Sequence, residues 1–364
     1  MNFRVVHIAI ACCCVLSITS SYGQDLKKGV TDLAHVDVDF HIQGEYSGNV
    51  THADGLCRAV GLQVVALGEG KFDALWYQGG LPGNGYDGST RYKLSGQRAG
   101  DKVALAGEGQ TVELQAGYVA TVKNSMGGAV GYLSPMHRYS LTAGVSPPAN
   151  AIVLFDGQNT DRLKKAKVTP DGLLEVGCET KDSFQNFTLH AEFRTPYMPY
   201  AKGQARGNSG FYLQKRYEVQ VLDSFGLELQ KNDCASLYKF KAPDLNMTFP
   251  PLSWQTYDID FSAPQFDVDG TRTVKGRITV RRNGIVVHNN LELENKTGGG
   301  SPEGPNPLPI LFQNHNNPVH FRNVWLIDRN AMPTPPSAAT DYCGGAVPTC
   351  CVPEMKCRSV RVRR

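Results

Sequence analysis

NSGFYLQKRYEVQVLDSFG, residues 208–226, decides how this chain is read, because it divides into two short strands about a turn and its polar residues repeat with the period of a sheet face. Gln214 precedes the turn; after it Glu218 and Gln220 alternate with Tyr217, Val219 and Val221. Alternate side chains of a strand share a face, so the apolar set enters a core while Glu218 and Gln220 project together from the other side. A second stretch, LPILFQNHNNPVHFRNVWLID (308–328), repeats the pattern. Leu311 leads into Gln313 and His315, which share a face within an amide cluster that includes Asn314, Asn316 and Asn317. Two strands that expose such polar pairs predict a groove for a polyhydroxylated ligand, a sugar first.

Working outward, residues 36–141 carry alternating strands such as VDVDFHIQGEY, GLQVVALGEGKFDALWY and QTVELQAGYVATVK, separated by glycine-rich turns, and read as a small β-rich domain. GGLPGNGYDG (79–88) is a structural loop, since no strand-loop-helix context or following lysine makes it a phosphate cradle. TAGVSPPAN (142–150) is short, small and proline-containing, as an interdomain linker is. Residues 151–328 contain many short strands with regular turn signals and almost no helical periodicity, the pattern of a β-sandwich. From residue 329 onward the prolines of AMPTPPSAAT introduce a basic, cysteine-rich tail that runs to 364.

Residues 1–23 have the charge, apolar run and small-residue exit of a secretory signal cleaved before Gln24, which predicts an exported protein, periplasmic or extracellular. A lipoprotein acylated at Cys12 is the competing reading. No other apolar run approaches the ~20 residues of a membrane span. The net charge of +3 is too balanced to argue for nucleic acid. Three of the ten cysteines lie within the signal, which leaves an odd seven. Cys343, Cys350, Cys351 and Cys357 crowd the tail, where export permits disulfides. A tail zinc site lacks paired C-x-x-C units and a histidine. Cys57, Cys178 and Cys234 are expected to be buried small hydrophobes.

Between 151 and 328 the chain resembles the 3-keto-disaccharide (3-keto-glucoside) hydrolase domain family, abundant in planctomycete-type bacteria. The resemblance is carried, in order, by FDGQNTDR, GNSGFYLQKRYEVQVLDSFG, WQTYDIDFSAPQFDVDG, RITVRRNGIVVHNN and FQNHNNPVHFRNVWL. It implies an all-β chain: a concanavalin/laminarinase-like jelly-roll sandwich with one concave face, preceded by the small β-rich domain. It also implies a keto-sugar or oligosaccharide as partner. Oligomeric state is left open.

Ordinary glycoside hydrolysis needs two carboxylates flanking the bond, roughly 5 to 9 Å apart. YEVQVLD is similar to the catalytic strand of laminarinase-type jelly rolls, but Gln220 and Leu222 stand where further acids would, and a neutral amide cannot donate a full proton. The keto-sugar chemistry implied by the resemblance needs less. A ketone at ring carbon 3 acidifies the hydrogen on carbon 2, a base removes it, the enolate expels the group at carbon 1, and water adds to the enone. This asks for one base and one electrophile, either a divalent metal ion or a cationic hydrogen-bond donor.

Glu218 and His315 are the expected catalytic pair and, with Asp223, the candidate metal ligands. Gln214, Gln220, Gln313, Asn317 and Arg322 are the expected substrate contacts. Each has a structural alternative. Glu218 could pair with Arg216 or Arg194; His315 could hydrogen-bond a bend; Asp223 could end a turn; the glutamines could form amide ladders; and Arg322 could be a structural guanidinium. Asp267 and Asp269 read as an acidic turn, and Trp254 and Trp325 as core rather than sugar platforms. A non-catalytic carbohydrate-binding protein of the cell envelope is the alternative function.

Overall fold

The computed structural model describes residues 26–330, Ser89 excepted. The expected signal segment, and the tail beyond residue 330 with its four cysteines, lie outside the described residues. Eight antiparallel strands form the first half: β1 (Gly44–Thr51), β2 (Cys57–Ala66), β3 (Lys71–Gln78), β4 (Arg91–Ala99), β5 (Lys102–Gly107), β6 (Gln110–Gln115), β7 (Ala120–Asn124) and β8 (Ala129–Met136). Each pairs with the next and β8 returns to β1, so the sheet closes into a barrel without a free edge. Alternation fills it: Val103 and Leu105 of β5 and Val112 and Leu114 of β6 point inward beside Trp76.

The second half contains β9 (Ile152–Phe155), β10 (Leu163–Lys164), β11 (Leu174–Glu175), β12 (Glu179–Thr180), β13 (Asn186–Arg194), β14 (Ser209–Leu213), β15 (Tyr217–Val221), β16 (Gln255–Ser262), β17 (Gln265–Phe266), β18 (Arg272–Val274), β19 (Gly276–Arg282), β20 (Ile285–Leu293), β21 (Leu311–Phe312) and β22 (His320–Asp328). They make a five-stranded sheet, in the order β10-β12-β21-β14-β15, and a seven-stranded one, β11-β22-β13-β16-β19-β20, with β9 beside β22. Phe211, Leu213, Tyr217, Val219, Val221 and Phe312 of the first sheet share one core with Phe187, Leu189, Phe193, Ile259 and Phe321 of the second. This is the expected all-β sandwich.

Barrel and jelly roll belong to one compact unit. Val30 bridges Tyr197, the Tyr197 hydroxyl donates to Asp37 at 2.9 Å, and Gly226 lies so close to Val65 that a Cβ there would approach it to 2.4 Å. The linker is tied down at its start. The Thr142 hydroxyl donates to Asp258 at 2.7 Å and the Gly144 N–H to Glu192 at 2.6 Å, after which residues 145–150 are exposed. Cys178 and Cys234 are buried as expected; Cys57 is exposed, because it opens β2 at the barrel rim. Trp325 is buried against His190, and Trp254 is half-buried between Arg194 and Arg322.

Candidate active site

The β14–β15 hairpin turns at Gln214 and Lys215, both with positive φ, and pairs Leu213 with Tyr217. The pairing then sets Tyr212 opposite Glu218 and Gly210 opposite Gln220. Across β14, Leu311 pairs with Tyr212, and the Gln313 N–H donates to the Gly210 carbonyl at 2.8 Å. Since directly paired residues share a face, the sheet face turned away from the core carries two rows. One runs Glu218, Tyr212, Leu311; the other runs Gln220, Gly210, Gln313. Glycine is required in the second row, where a Cβ at 210 would stand 2.8 Å from Glu218 Oε1 and 3.2 Å from Gln313 Oε1. Its absence lets the Glu218 and Gln313 side chains close over the bare Gly210 backbone.

Glu218 is held by its backbone on both sides. Its N–H donates to Thr297 Oγ1 at 2.7 Å and its carbonyl accepts from the Tyr238 N–H at 3.1 Å. The carboxyl is almost wholly buried, and burial pushes it up to about 7; the Tyr212 hydroxyl, the Gln313 amide and the Lys239 ammonium pull it only part of the way back. Neither Arg216 nor Arg194 pairs with it, for Arg216 is spent on the Pro302 and Asn306 carbonyls and on Gln214. The Gln220 amide is satisfied with Nε2 turned to Glu218 Oε1 at 3.1 Å and to the Ser209 carbonyl at 2.6 Å. Glu218 Oε2 and Gln313 Oε1 have no partner. The neighbours that reach solvent are Gln313, Tyr238, Lys239 and the glycines Gly298 and Gly299.

Other expected site residues lie elsewhere. Gln214 is buried in the turn, donating to the Phe184 carbonyl at 2.8 Å and accepting from Arg216 at 2.9 Å, so its amide locks the hairpin. Asp223 is buried in an ion pair with Arg206 at 2.7 Å. Asn317 accepts the Asn208 N–H at 2.7 Å and thereby fixes the entry to β14. His315 is exposed on the segment between β21 and β22, because regular pairing ends at Phe312. Arg322 sits on the other sheet, bonded to Glu192 at 2.8 Å and stacked 4.0 Å from the Trp254 ring centre. Burial works to raise the Glu192 carboxyl, yet bonds from His190, Asn323, Gly144 and Arg322 outweigh it and hold the group at about 2.

Glu218, His315 and Asp223 therefore do not fit a shared metal ion. Asp223 is already neutralised by a guanidinium, His315 stands on an exposed segment, and no group of three or more His, Cys, Asp or Glu residues is placed to hold a metal among the described residues. Tyr212, Gly210, Thr297 and Lys239 were not foreseen as site residues. Tyr212 follows from the register: the turn occupies residues 214–216, one residue earlier at its start than the sequence reading places it, and this sets Tyr212 opposite Glu218. Thr297 and Lys239 come from distant loops and carried no local signal.

Residues 150–327 match the family described as the 3-keto-alpha-glucoside-1,2-lyase-like domain. Among solved structures, a protein of Parabacteroides distasonis provisionally described as a glycosyl hydrolase is 33% identical, over 50% of this chain and 85% of its own, with a TM-score of 0.47. Two further proteins of that organism with the same description are 18% and 21% identical, cover 49% and 48% of this chain and 94% and 98% of their own, and have TM-scores of 0.35. No curated protein matches the chain. With the ordered motifs of 151–328 and this match over the whole jelly roll, the chain belongs to the 3-keto-alpha-glucoside-1,2-lyase-like domain family through residues 150–327.

Proposed function

We propose that this protein is a glycoside-cleaving enzyme that acts on 3-keto-glycosides by elimination and hydration, with Glu218 as the proton-transfer group. The observation that carries the reading is a single buried carboxyl, poised at about 7, with one oxygen that no protein group bonds, seated over the bare Gly210 backbone. A group with that affinity for protons can both accept and return one near neutrality. Glu218 takes the proton from carbon 2, and the C–H electron pair becomes the C2–C3 double bond as the ketone becomes an enolate. The enolate then reforms the ketone as the C1–O bond breaks, and the proton passes to the departing oxygen. Water adds its hydroxyl to carbon 1 and its hydrogen to carbon 2.

A pair of carboxylates is not supported on this face. The next acid along the Glu218 row is Glu179, three strands away by way of Tyr212 and Leu311. Three strand spacings are about 14 Å, beyond the roughly 5 to 9.5 Å that two-carboxylate hydrolysis uses. Glu179 is moreover paired with Lys215. Entry of a sugar requires the half-exposed Gln313 and Tyr238 side chains to give way, since Glu218 itself is shielded. Gln313, whose amide oxygen is unpartnered, serves as the hydroxyl partner in this reading, Gln220 holds Glu218 in place, and His315 is a rim group.

The test is exchange of the carbon-2 hydrogen of a 3-keto-glucoside with solvent deuterium, together with release of its aglycone, compared with the unoxidised parent. The keto-sugar is expected to react and the parent to be inert. Equal cleavage of the parent would refute elimination. Binding without any turnover would return the protein to the carbohydrate-binding alternative.

A further inference from the structure

We propose that the Tyr212 hydroxyl is the hydrogen-bond donor that holds the carbon-3 oxygen of the substrate while Glu218 removes the carbon-2 proton, an assignment that rests on the function proposed above. Tyr212 and Glu218 are direct cross-strand partners, and Gln313, packed against Glu218 over the bare Gly210 backbone, also reaches the Tyr212 hydroxyl. Glu218 Oε2 has no partner there. The Tyr212 oxygen accepts from Gln313 Nε2 at 3.4 Å, which occupies one lone pair and leaves the phenolic proton with the Glu218 carboxylate as its partner. A ketone oxygen that reaches the Tyr212 hydroxyl can take over that proton's hydrogen bond, and Glu218 is thereby released as a stronger base.

The surroundings keep the hydroxyl in this role. Burial and the adjacent Glu218 raise the phenol well above its ordinary range, so it is protonated at working pH and donates. The backbone of Gly299 lies so close that a Cβ there would come within 3.1 Å of the hydroxyl, which confines the ring from the loop side. The other titratable groups that face the pair are Lys239, near Glu218, and Tyr238, near Tyr212. Neither is a carboxylate that would compete as base for the carbon-2 proton. As charge moves from the breaking C–H bond onto the carbon-3 oxygen, the donated hydrogen bond strengthens, which is the condition for lowering the barrier rather than merely binding substrate.

The experiment measures carbon-2 deuterium exchange of a methyl 3-keto-glucoside by NMR with the wild type, Tyr212→Phe and a protein carrying 3-fluorotyrosine at 212. Tyr212→Phe is expected to lose on the order of 10² in kcat with KM nearly unchanged. The fluorinated protein, which keeps the oxygen and the packing, is expected to stay within about tenfold of wild type. Undiminished exchange in Tyr212→Phe, a loss confined to KM, or an equal loss with 3-fluorotyrosine would overturn the assignment, the last because it marks a packing role and decides the matter even if the phenylalanine variant misfolds. Absence of exchange in the wild type would instead remove the proposed reaction, and this role with it.

Discussion

At the scale of single residues, Glu218 places function and stability in opposition. Its folded carboxyl titrates at about 7 instead of the ordinary 4.5 because burial penalises the charge. A group raised in this way leaves stability intact below the unfolded value near 4.5 and removes it as pH rises through about 7, by on the order of 3 kcal/mol. Glu218→Gln abolishes the titration. The difference in melting temperature between the variant and the wild type should therefore be small at pH 4 and grow in the variant's favour up to pH 8; a constant difference would show that the carboxyl is not desolvated. Activity should move the other way. Glu218→Gln and Glu218→Ala are each expected to lose 10² to 10⁴ in rate, the scale of a general base, measured as carbon-2 exchange. His315, exposed and without a hydrogen bond among the described residues, should cost less than about tenfold on replacement by alanine, mainly in KM.

At the scale of elements, the hairpin and the glycine loop that crosses it create the site together. Gly300 lies against β15 so tightly that a Cβ would stand 2.1 Å from the Arg216 carbonyl, a backbone atom that cannot swing aside. Around it the Thr297 N–H donates to the Arg216 carbonyl at 2.9 Å and the Ser301 N–H to the Lys215 carbonyl at 2.7 Å. Gly300→Ala is expected to destabilise the protein by more than about 2 kcal/mol through loss of that register, read by denaturant unfolding. Gly210→Ala differs, because its contacts are the ends of two flexible side chains. It should leave stability within about 1 kcal/mol of wild type yet cut exchange by about 10², since it displaces the reacting carboxylate by a fraction of an ångström to an ångström. Equal effects of the two substitutions on stability would contradict this division.

At the scale of the whole molecule, the barrel and the jelly roll are held by contacts that do not depend on the covalent linker. Glu228 lies 3.5 Å from both Arg91 and Lys93, Arg138 stacks 5.0 Å from the Phe249 ring centre, and Thr142 and Gly144 are bonded to the outer face of the seven-stranded sheet. Limited proteolysis should cut within the exposed residues 145–150. The two fragments are then expected to co-elute on size exclusion, because the Val30–Tyr197 bridge and the packing of Gly226 on Val65 survive the cut. Separation of the fragments without denaturant would show that the linker itself carries the association.

Local alternation determined a great deal. The period of two in YEVQVLD settled which residues of that strand enter the core and placed Glu218 and Gln220 together, because a strand has only two faces and one of them must leave water. The register was not settled there: Gln214, read as preceding the turn, lies within it, and only the observed turn of residues 214–216 sets Tyr212 opposite Glu218. The remaining decisions belonged to the tertiary structure. Closure of the first eight strands depends on β1 meeting β8, a pairing of residues about ninety apart that no local pattern specifies. Gln214, Asp223, Asn317 and Arg322 are polar residues near strand ends in the sequence, and whether such a residue meets a ligand or a protein partner is decided by what lies across from it: the Phe184 carbonyl, Arg206, Asn208 and Glu192. The proton affinity of Glu218 has the same origin, since the burial that raises it is made by loops some twenty and eighty residues further along the chain.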